Sequence, residues 1–276
     1  MSYGLVDRTM IGAMTAIMRR SMSMPAQRDY YRQFRAEVSG VELAAPKVMR
    51  LKLSAPEFAS YRPLGPDEYF GLYIPRPGVE LKLPPGERLN PRAELAKMPA
   101  ETRPDLRWYT LRRLLPERSE VWVDIVRHES GPGGAFLSRV AVGDVVGFRE
   151  GTGSYPGPGG LQLLAGDETA VPAISAIAES LPNGEGITCV IELPSPDYAA
   201  PFAAPFQVQW VYRGDATPGS ALLERLSDGS HPRFDYAWVC GEQNTAKEAR
   251  RLLVSRGTDK RQVLFSGYWR LGHPRP

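Results

Sequence analysis

The residues most capable of chemistry fall in four short segments. The first is Arg107-Trp-Tyr-Thr110. On a strand, Arg107 and Tyr109 share one face, and Thr110 takes the other unless the strand ends or bends there. Such a segment can hold a phosphate by charge, stack a flat ring and hydrogen-bond its polar edge. It also suits a surface strand with a half-buried Tyr. The second is Gly131-Pro-Gly-Gly-Ala-Phe-Leu-Ser138. Its glycines leave backbone N–H groups accessible, and a helix starting at Ala135 would aim its positive end at a pyrophosphate. An ordinary turn before a short helix has the same composition. The third, Ala165-Gly-Asp-Glu-Thr-Ala-Val-Pro172, falls between a strand and a helix. Asp167, Glu168 and Thr169 can cap that helix, or Gly166 can let a pyridine nucleotide approach the turn. The fourth, Ser266-Gly-Tyr-Trp-Arg-Leu-Gly272, sets two aromatics beside Arg270. It suits an interface, a cover for a ligand, or simple packing of the tail.

Other chemistries are excluded. Gly151-Thr-Gly-Ser-Tyr155 lacks the third glycine of a Rossmann fingerprint, and there is no Walker A sequence. Cys189 and Cys240 are the only cysteines, which rules out a disulfide scaffold, a four-thiolate zinc site and an iron–sulfur cluster. His128, His231 and His273 are far apart in sequence, so no metal site is expected.

The elements that must position these segments change character along the chain. Lys47–Leu53 alternates Met49, Leu51 and Leu53 against Arg50 and Lys52, a strand pattern. Glu68–Ile74, Arg107–Arg112, Glu120–His128 and Asp144–Phe148 read as further strands, with prolines punctuating the connection after Ile74. Short strands with Gly/Pro turns predict a small antiparallel barrel or sandwich. Tyr155-Pro-Gly-Pro-Gly-Gly160 marks a boundary. Beyond it, strands are predicted at Leu161–Ala165, Gly186–Glu192, Phe206–Tyr212, Tyr236–Cys240 and Gln262–Ser266. Helices are predicted at Thr169–Leu181, from a Thr217-Pro218 cap to about Leu226, and at Asn244–Arg256 ended by Gly257. That order describes an open α/β sheet with its ligand beyond the carboxyl ends of the strands. The expected divisions are an extension over 1–30, a β domain over 31–158 and an α/β domain over 159–276.

The chain has 276 residues and a net charge of +3, unevenly spread. Residues 1–35 hold six Arg and two Asp, and residues 244–276 hold eight Lys or Arg and two acids. Basic ends suit an anionic partner or a solvated face. They form no basic stripe, so nucleic acid is not an expected partner. No run of about 18 apolar residues predicts a membrane span. Met10–Met18 is short and reads as a helix or frayed extension rather than an export signal. The cytoplasm is the expected location.

Taken in this order, the motifs resemble the siderophore-interacting protein family, FAD-dependent ferric-siderophore reductases of the ferredoxin-reductase-like superfamily. Arg107-x-Tyr109-Thr110 is similar to the family's flavin motif, and Asp124-Ile-Val-Arg-His128 with Gly131-Pro-Gly-Gly to its second flavin segment. Gly166-Asp-Glu-Thr-Ala-Val-Pro172, Cys240-Gly-Glu242 and Gly267-Tyr-Trp-Arg270 resemble its later motifs, and Gly65-Pro-Asp67 fits as well. The likeness covers roughly residues 32–272. One departure is Gly133-Gly-Ala-Phe-Leu-Ser138, which lacks the Trp often found there.

The resemblance implies a flavin β-barrel followed by an open parallel-sheet NAD(P)H domain. It implies that Tyr109 stacks on the isoalloxazine, Thr110 bonds near its N5, and Arg107 contacts the pyrophosphate. Asp124 belongs to the matching segment, where Val126 and His128 would line the flavin; Gly133, Gly134, Ala135 and Ser138 would take the pyrophosphate region. Gly166, Asp167, Glu168, Thr169, Ala170, Gly241 and Glu242 would serve NADPH or NADH. Electrons would pass from the nucleotide through FAD to a ferric siderophore, whose weakened chelation would free the iron. Lys247, Arg250, Arg251, Trp269 and Arg270 are candidates for holding that anionic chelate, though a solvated helix face explains the helical cations as well. A siderophore carrier without efficient turnover, or a flavin reductase for another acceptor, is the alternative. The expected state is a monomer or weak homo-oligomer. Glu192 would favour a ribose hydroxyl and Arg213 a 2′-phosphate, which leaves the choice of donor open.

Overall fold

The computed structural model describes residues 28–85, 90–127, 131–157 and 159–272. They form two compact units, one of residues 28–44 and Val48–Gly153, the other of Ala45–Lys47 and the described residues from Ser154 onward. The sequence features at Met10–Met18 and His128 lie outside the described residues.

The first unit is built on a seven-stranded antiparallel sheet. Its strands are β1 (Gln33–Ala45), β2 (Val48–Ser54), β3 (Tyr69–Ile74), β4 (Asp105–Thr110), β5 (Arg113–Leu115), β6 (Glu120–Val126) and β7 (Val145–Thr152). They are ordered β4-β3-β7-β1-β2-β6-β5. Alternate residues from both halves of the sheet, among them Phe34, Val38, Leu51, Leu72, Val123 and Phe148, meet in one core. The sheet is therefore rolled around its apolar face, and no pairing of β4 with β5 closes it among the described residues. Phe148 stacks on Phe70 with centroids 4.4 Å apart and on Phe34 at 5.0 Å.

Two strands escape the sequence reading. The inward Phe34, Ala36 and Val38 of β1 did carry the alternation. β5 is too short to show one. The expected strand Arg107–Arg112 stops at Thr110: Leu111 N still reaches the Glu68 carbonyl, but Arg112 N turns to the Trp122 carbonyl of β6. In the proline-rich connection after β3, Leu81, Leu95 and Met98 pack with Tyr73 and Leu106 into a second small core. That connection includes helix α1 (Pro91–Leu95). Helix α2 (Gly131–Leu137) starts four residues before the expected Ala135.

The second unit is a five-stranded parallel sheet, ordered β10-β9-β8-β11-β12. Its strands are β8 (Gln162–Gly166), β9 (Ile187–Leu193), β10 (Val208–Tyr212), β11 (Tyr236–Glu242) and β12 (Val263–Trp269). Helices α3 (Val171–Ser180), α4 (Ser220–Ser227) and α5 (Gln243–Ser255) connect them. The near-continuous apolar runs of β8, β9 and β11 follow from burial on both faces. Strand order reverses between β8 and β11, so the ligand crevice of such a sheet opens where these two strands end.

Helix α5 ends as the sequence indicates. Gly257 takes φ +95°, with its amide on Val254 O and that of Thr258 on Leu253 O. The start of α4 differs from the predicted Thr217-Pro218 cap. Its N-cap is Gly219 at φ +93° without a local side-chain cap. Glu192, at the end of β9, supplies the acceptors instead: Oε1 to Gly219 N at 2.7 Å and Oε2 to Leu222 N at 3.0 Å. A cap donated from 27 and 30 residues away leaves no local signature. Among the described residues no helix is long and apolar enough to cross a membrane, and no cluster suits a metal.

Candidate functional site

In the first unit, β4 carries the Arg-x-Tyr-Thr segment along the edge of the sheet. Tyr109 is half-buried against the main core, and burial pushes its phenol up to about 12. Its hydroxyl lies 3.1 Å from where a Cβ on Gly133 would sit. The structure thus brings the first two segments together, and only glycine leaves that space open. Arg107 is half-buried and donates to its neighbour's carbonyl, Leu106 O, at 2.8 Å. No carboxylate among the described residues neutralises it. Thr110 and Val126 are buried. Gly134 is half-buried, Ala135 and Ser138 are exposed, and Ser138 Oγ, just past the end of α2, donates back to Ala135 O.

Asp124 is placed differently from a free ligand group. It faces Arg50 in the β2–β6 register and accepts from Arg50 Nε at 2.7 Å and Nη2 at 2.8 Å. Its Oδ2, the oxygen that Arg50 Nη2 reaches, also lies 3.8 Å from Nε of the buried Arg112. Its carboxylate is spent on two guanidiniums that pin β2 and the chain after β4 to β6. A second buried network, missed in the sequence, joins Arg28, Tyr61 and Glu68. Glu68 accepts from Arg28 Nη2 at 2.9 Å, from the Tyr61 hydroxyl and from Leu64 N. Arg28 lies 40 residues before Glu68, and nothing local marks the two as partners.

In the second unit, Asp167 is the node. One carboxylate oxygen accepts from Thr169 N at 2.9 Å and Thr169 Oγ1 at 2.5 Å. The other accepts from Glu242 N at 2.6 Å and Trp269 Nε1 at 2.8 Å. One side chain thereby joins all three carboxyl-terminal motifs. The reading of Asp167, Glu168 and Thr169 as caps of α3 gives way, since that helix has Ala170 at its N-cap with no side-chain bond. Burial, with Glu168 next to it, raises the Asp167 carboxyl to about 6 against four donated hydrogen bonds. The crossing is tight. A Cβ on Gly166 would fall 2.3 Å from Cys240 O, and one on Gly241, at φ +144°, 2.5 Å from Asp167 Oδ2.

Glu242 caps α5, its Oε2 accepting from Asn244 N at 2.6 Å and Thr245 N at 2.9 Å. Its Oε1 accepts from Leu271 N at 3.3 Å, tying down the chain after β12. Glu168 pairs with Arg213, and Ala170 is fully buried. Lys247, Arg251 and Arg270 are exposed. Arg250 is half-buried, with its guanidinium over the Phe265 ring at 5.0 Å.

Residues 37–155 match the description Siderophore-interacting FAD-binding domain, and residues 160–272 match Siderophore-interacting protein. The chain belongs to the siderophore-interacting protein family. Among its relatives, an uncharacterized protein of Mycobacterium tuberculosis is 32% identical over 256 residues, covering 86% of this chain and 89% of that one. Ferric vibriobactin reductase ViuB of Vibrio cholerae is 29% identical over 181 residues, covering 62% of this chain and 67% of that one. A siderophore utilization protein from T. fusca has a similar structure, with TM-score 0.79, 27% identity, and coverage of 91% of this chain and 97% of that one. Siderophore-interacting protein SipS from Aeromonas hydrophila follows with TM-score 0.69, 26% identity, and coverage of 88% and 93%. The family's flavin fits the residues present here: a phenol beside an empty Cβ position and a guanidinium that no carboxylate of the described residues neutralises.

Proposed function

We propose that this siderophore-interacting protein is a ferric-siderophore reductase, taking electrons from NADH or NADPH and delivering them to a chelated Fe(III). The observation that carries the reading is the Asp167 node. It fixes three family motifs at the switch point of a parallel sheet, in a chain whose other unit presents Tyr109, Gly133 and an Arg107 that no carboxylate of the described residues neutralises. The relatives named ferric vibriobactin reductase and ferric acinetobactin reductase support it.

FAD, when bound, supplies the conversion between a two-electron donor and a one-electron acceptor. Tyr109 offers the ring face to stack on it, and its raised phenol stays a hydrogen-bond donor at neutral pH. Arg107 offers charge to the diphosphate, with Gly133 and Gly134 giving it room. Val126 offers an apolar wall, and Thr110 a hydroxyl. In the second unit, Gly166 and Gly241 keep the strand ends free of side chains where a nicotinamide would approach, and Asp167 holds both turns. Lys247, Arg251 and Arg270 offer positive charge to an anionic chelate, as Trp269 offers an aromatic edge. No protein acid or base is required, since Fe(II) leaves hard oxygen donors once formed. The cytoplasm is the proposed place of action, and a monomer or weak homo-oligomer the proposed state.

The test is the visible spectrum of the purified protein with FAD, recorded anaerobically with NADH and with NADPH, followed by a ferric siderophore and an Fe(II)-specific dye. Bleaching by a donor, then recovery of the flavin with dye-bound Fe(II), is expected. A flavin that stays oxidised with both donors overturns the reading in favour of a carrier.

A further inference from the structure

Arg213 follows β10 and lies at the carboxyl end of the sheet, where an open α/β fold receives its nucleotide. It is the only Lys or Arg in the three segments that follow β8, β9 and β10 up to the next helix or strand. By charge, it is the one residue there able to hold the extra phosphate of NADPH. It is not free to do so. Arg213 Nη1 donates to Glu168 Oε2 at 2.9 Å and to Glu192 Oε1 at 3.1 Å, while Nη2 donates to Glu168 Oε1 at 2.8 Å. The side chains of Arg213, Glu168 and Glu192 are 7%, 3% and 0% exposed. Glu192 cannot swing away, because its oxygens also cap α4 through Gly219 and Leu222.

Two carboxylates against one guanidinium leave this cluster with a net negative charge. Asp167 is close enough to add to it, and Asp197 and Asp215 follow the neighbouring strands. A phosphate monoester brings about −1.5 to −2 further charges at neutral pH. Placed here it would meet repulsion and an arginine already saturated; a free ribose hydroxyl would meet acceptors.

We infer that Glu168 and Glu192 withdraw Arg213 from the nucleotide site, making the trio specificity-determining residues that select NADH over NADPH. This rests on the reductase reading. The experiment measures anaerobic flavin reduction by each donor, and binding of ADP against 2′,5′-ADP, in the FAD-loaded protein and its Glu168→Gln variant. Glu168→Gln keeps the shape and one acceptor but removes a charge. For the unaltered protein, kcat/KM at least ten-fold higher with NADH and tighter binding of ADP are expected. In Glu168→Gln the NADH-to-NADPH ratio should fall several-fold, an effect that shrinks with added salt. Equal or faster reduction by NADPH overturns the inference, as does an unchanged ratio in a folded Glu168→Gln variant. Reduction by neither donor sinks the reductase reading instead. The two ADP compounds then still decide the selectivity, and tighter 2′,5′-ADP overturns it.

Discussion

At the scale of single residues, Tyr109 and Gly133 make a testable pair because a side chain at position 133 would meet the Tyr109 hydroxyl. A Cβ at position 133 would stand 3.1 Å from the Tyr109 hydroxyl, tighter than ordinary contact. Gly133→Ala should therefore weaken FAD binding several-fold by displacing the ring. Tyr109→Phe removes the obstructing oxygen, so the double variant should regain most of that loss. Flavin fluorescence titration reads all three, and additive losses would mean that the two residues do not meet. Asp167 offers a second test at this scale. Its folded carboxyl lies at about 6, above the ordinary value of 3.8. The folded state therefore holds this proton over a range where the unfolded state has lost it. The stability this contributes is fully present below about pH 4 and disappears as pH rises through 6. Urea unfolding between pH 4 and 7 should show a steeper decline for the unaltered protein than for Asp167→Asn. Trp269, whose indole N–H bonds that carboxylate, should change its emission over the same interval only when Asp167 is present.

At the scale of elements, caps and crossings decide. Glu242→Ala removes the acceptor of three backbone amides, two at the start of α5 and one at Leu271, and of the Thr245 hydroxyl. It should cost about 1–2 kcal/mol of stability, measured by chemical denaturation. Gly166→Ala forces a methyl into the β8–β11 crossing and should cost about 1–3 kcal/mol, or shift the Gly241 turn. What the sequence showed at this scale was whatever repeats locally. The alternation of Met49, Leu51 and Leu53 placed β2, and the apolar runs placed β8, β9 and β11. Gly257 announced the end of α5. What it hid were groups satisfied from far away, such as the Glu192 cap of α4 and the Asp124 pairs with Arg50 and Arg112. Motif residues were legible as a set, but their division of labour was not. Asp167 and Glu242 are structural ties whose spacing gives no hint of a shared hydrogen bond.

At the scale of the whole molecule, the two units have separate apolar cores, one centred on Phe148 and one on residues such as Leu163, Val190 and Val239. Each ligand should protect its own unit. Hydrogen exchange with FAD should slow amides in β4, β6 and α2, while ADP should slow those around 166–170 and 241–243. Protection spread evenly over both would contradict this assignment of sites.

The Asp167 node also bears on the order of assembly. Its carboxylate closes the first turn of the second unit, yet two of its donors lie 75 and 102 residues later in the chain. On a ribosome, Asp167 emerges long before Glu242 and Trp269 exist to bond it. Strand β8 must also wait for β11, its partner on one side. Such non-local closure is slow to nucleate. The second unit should therefore mature late, after residue 269 is free, and β8 should stay open to protease in nascent chains that end before it.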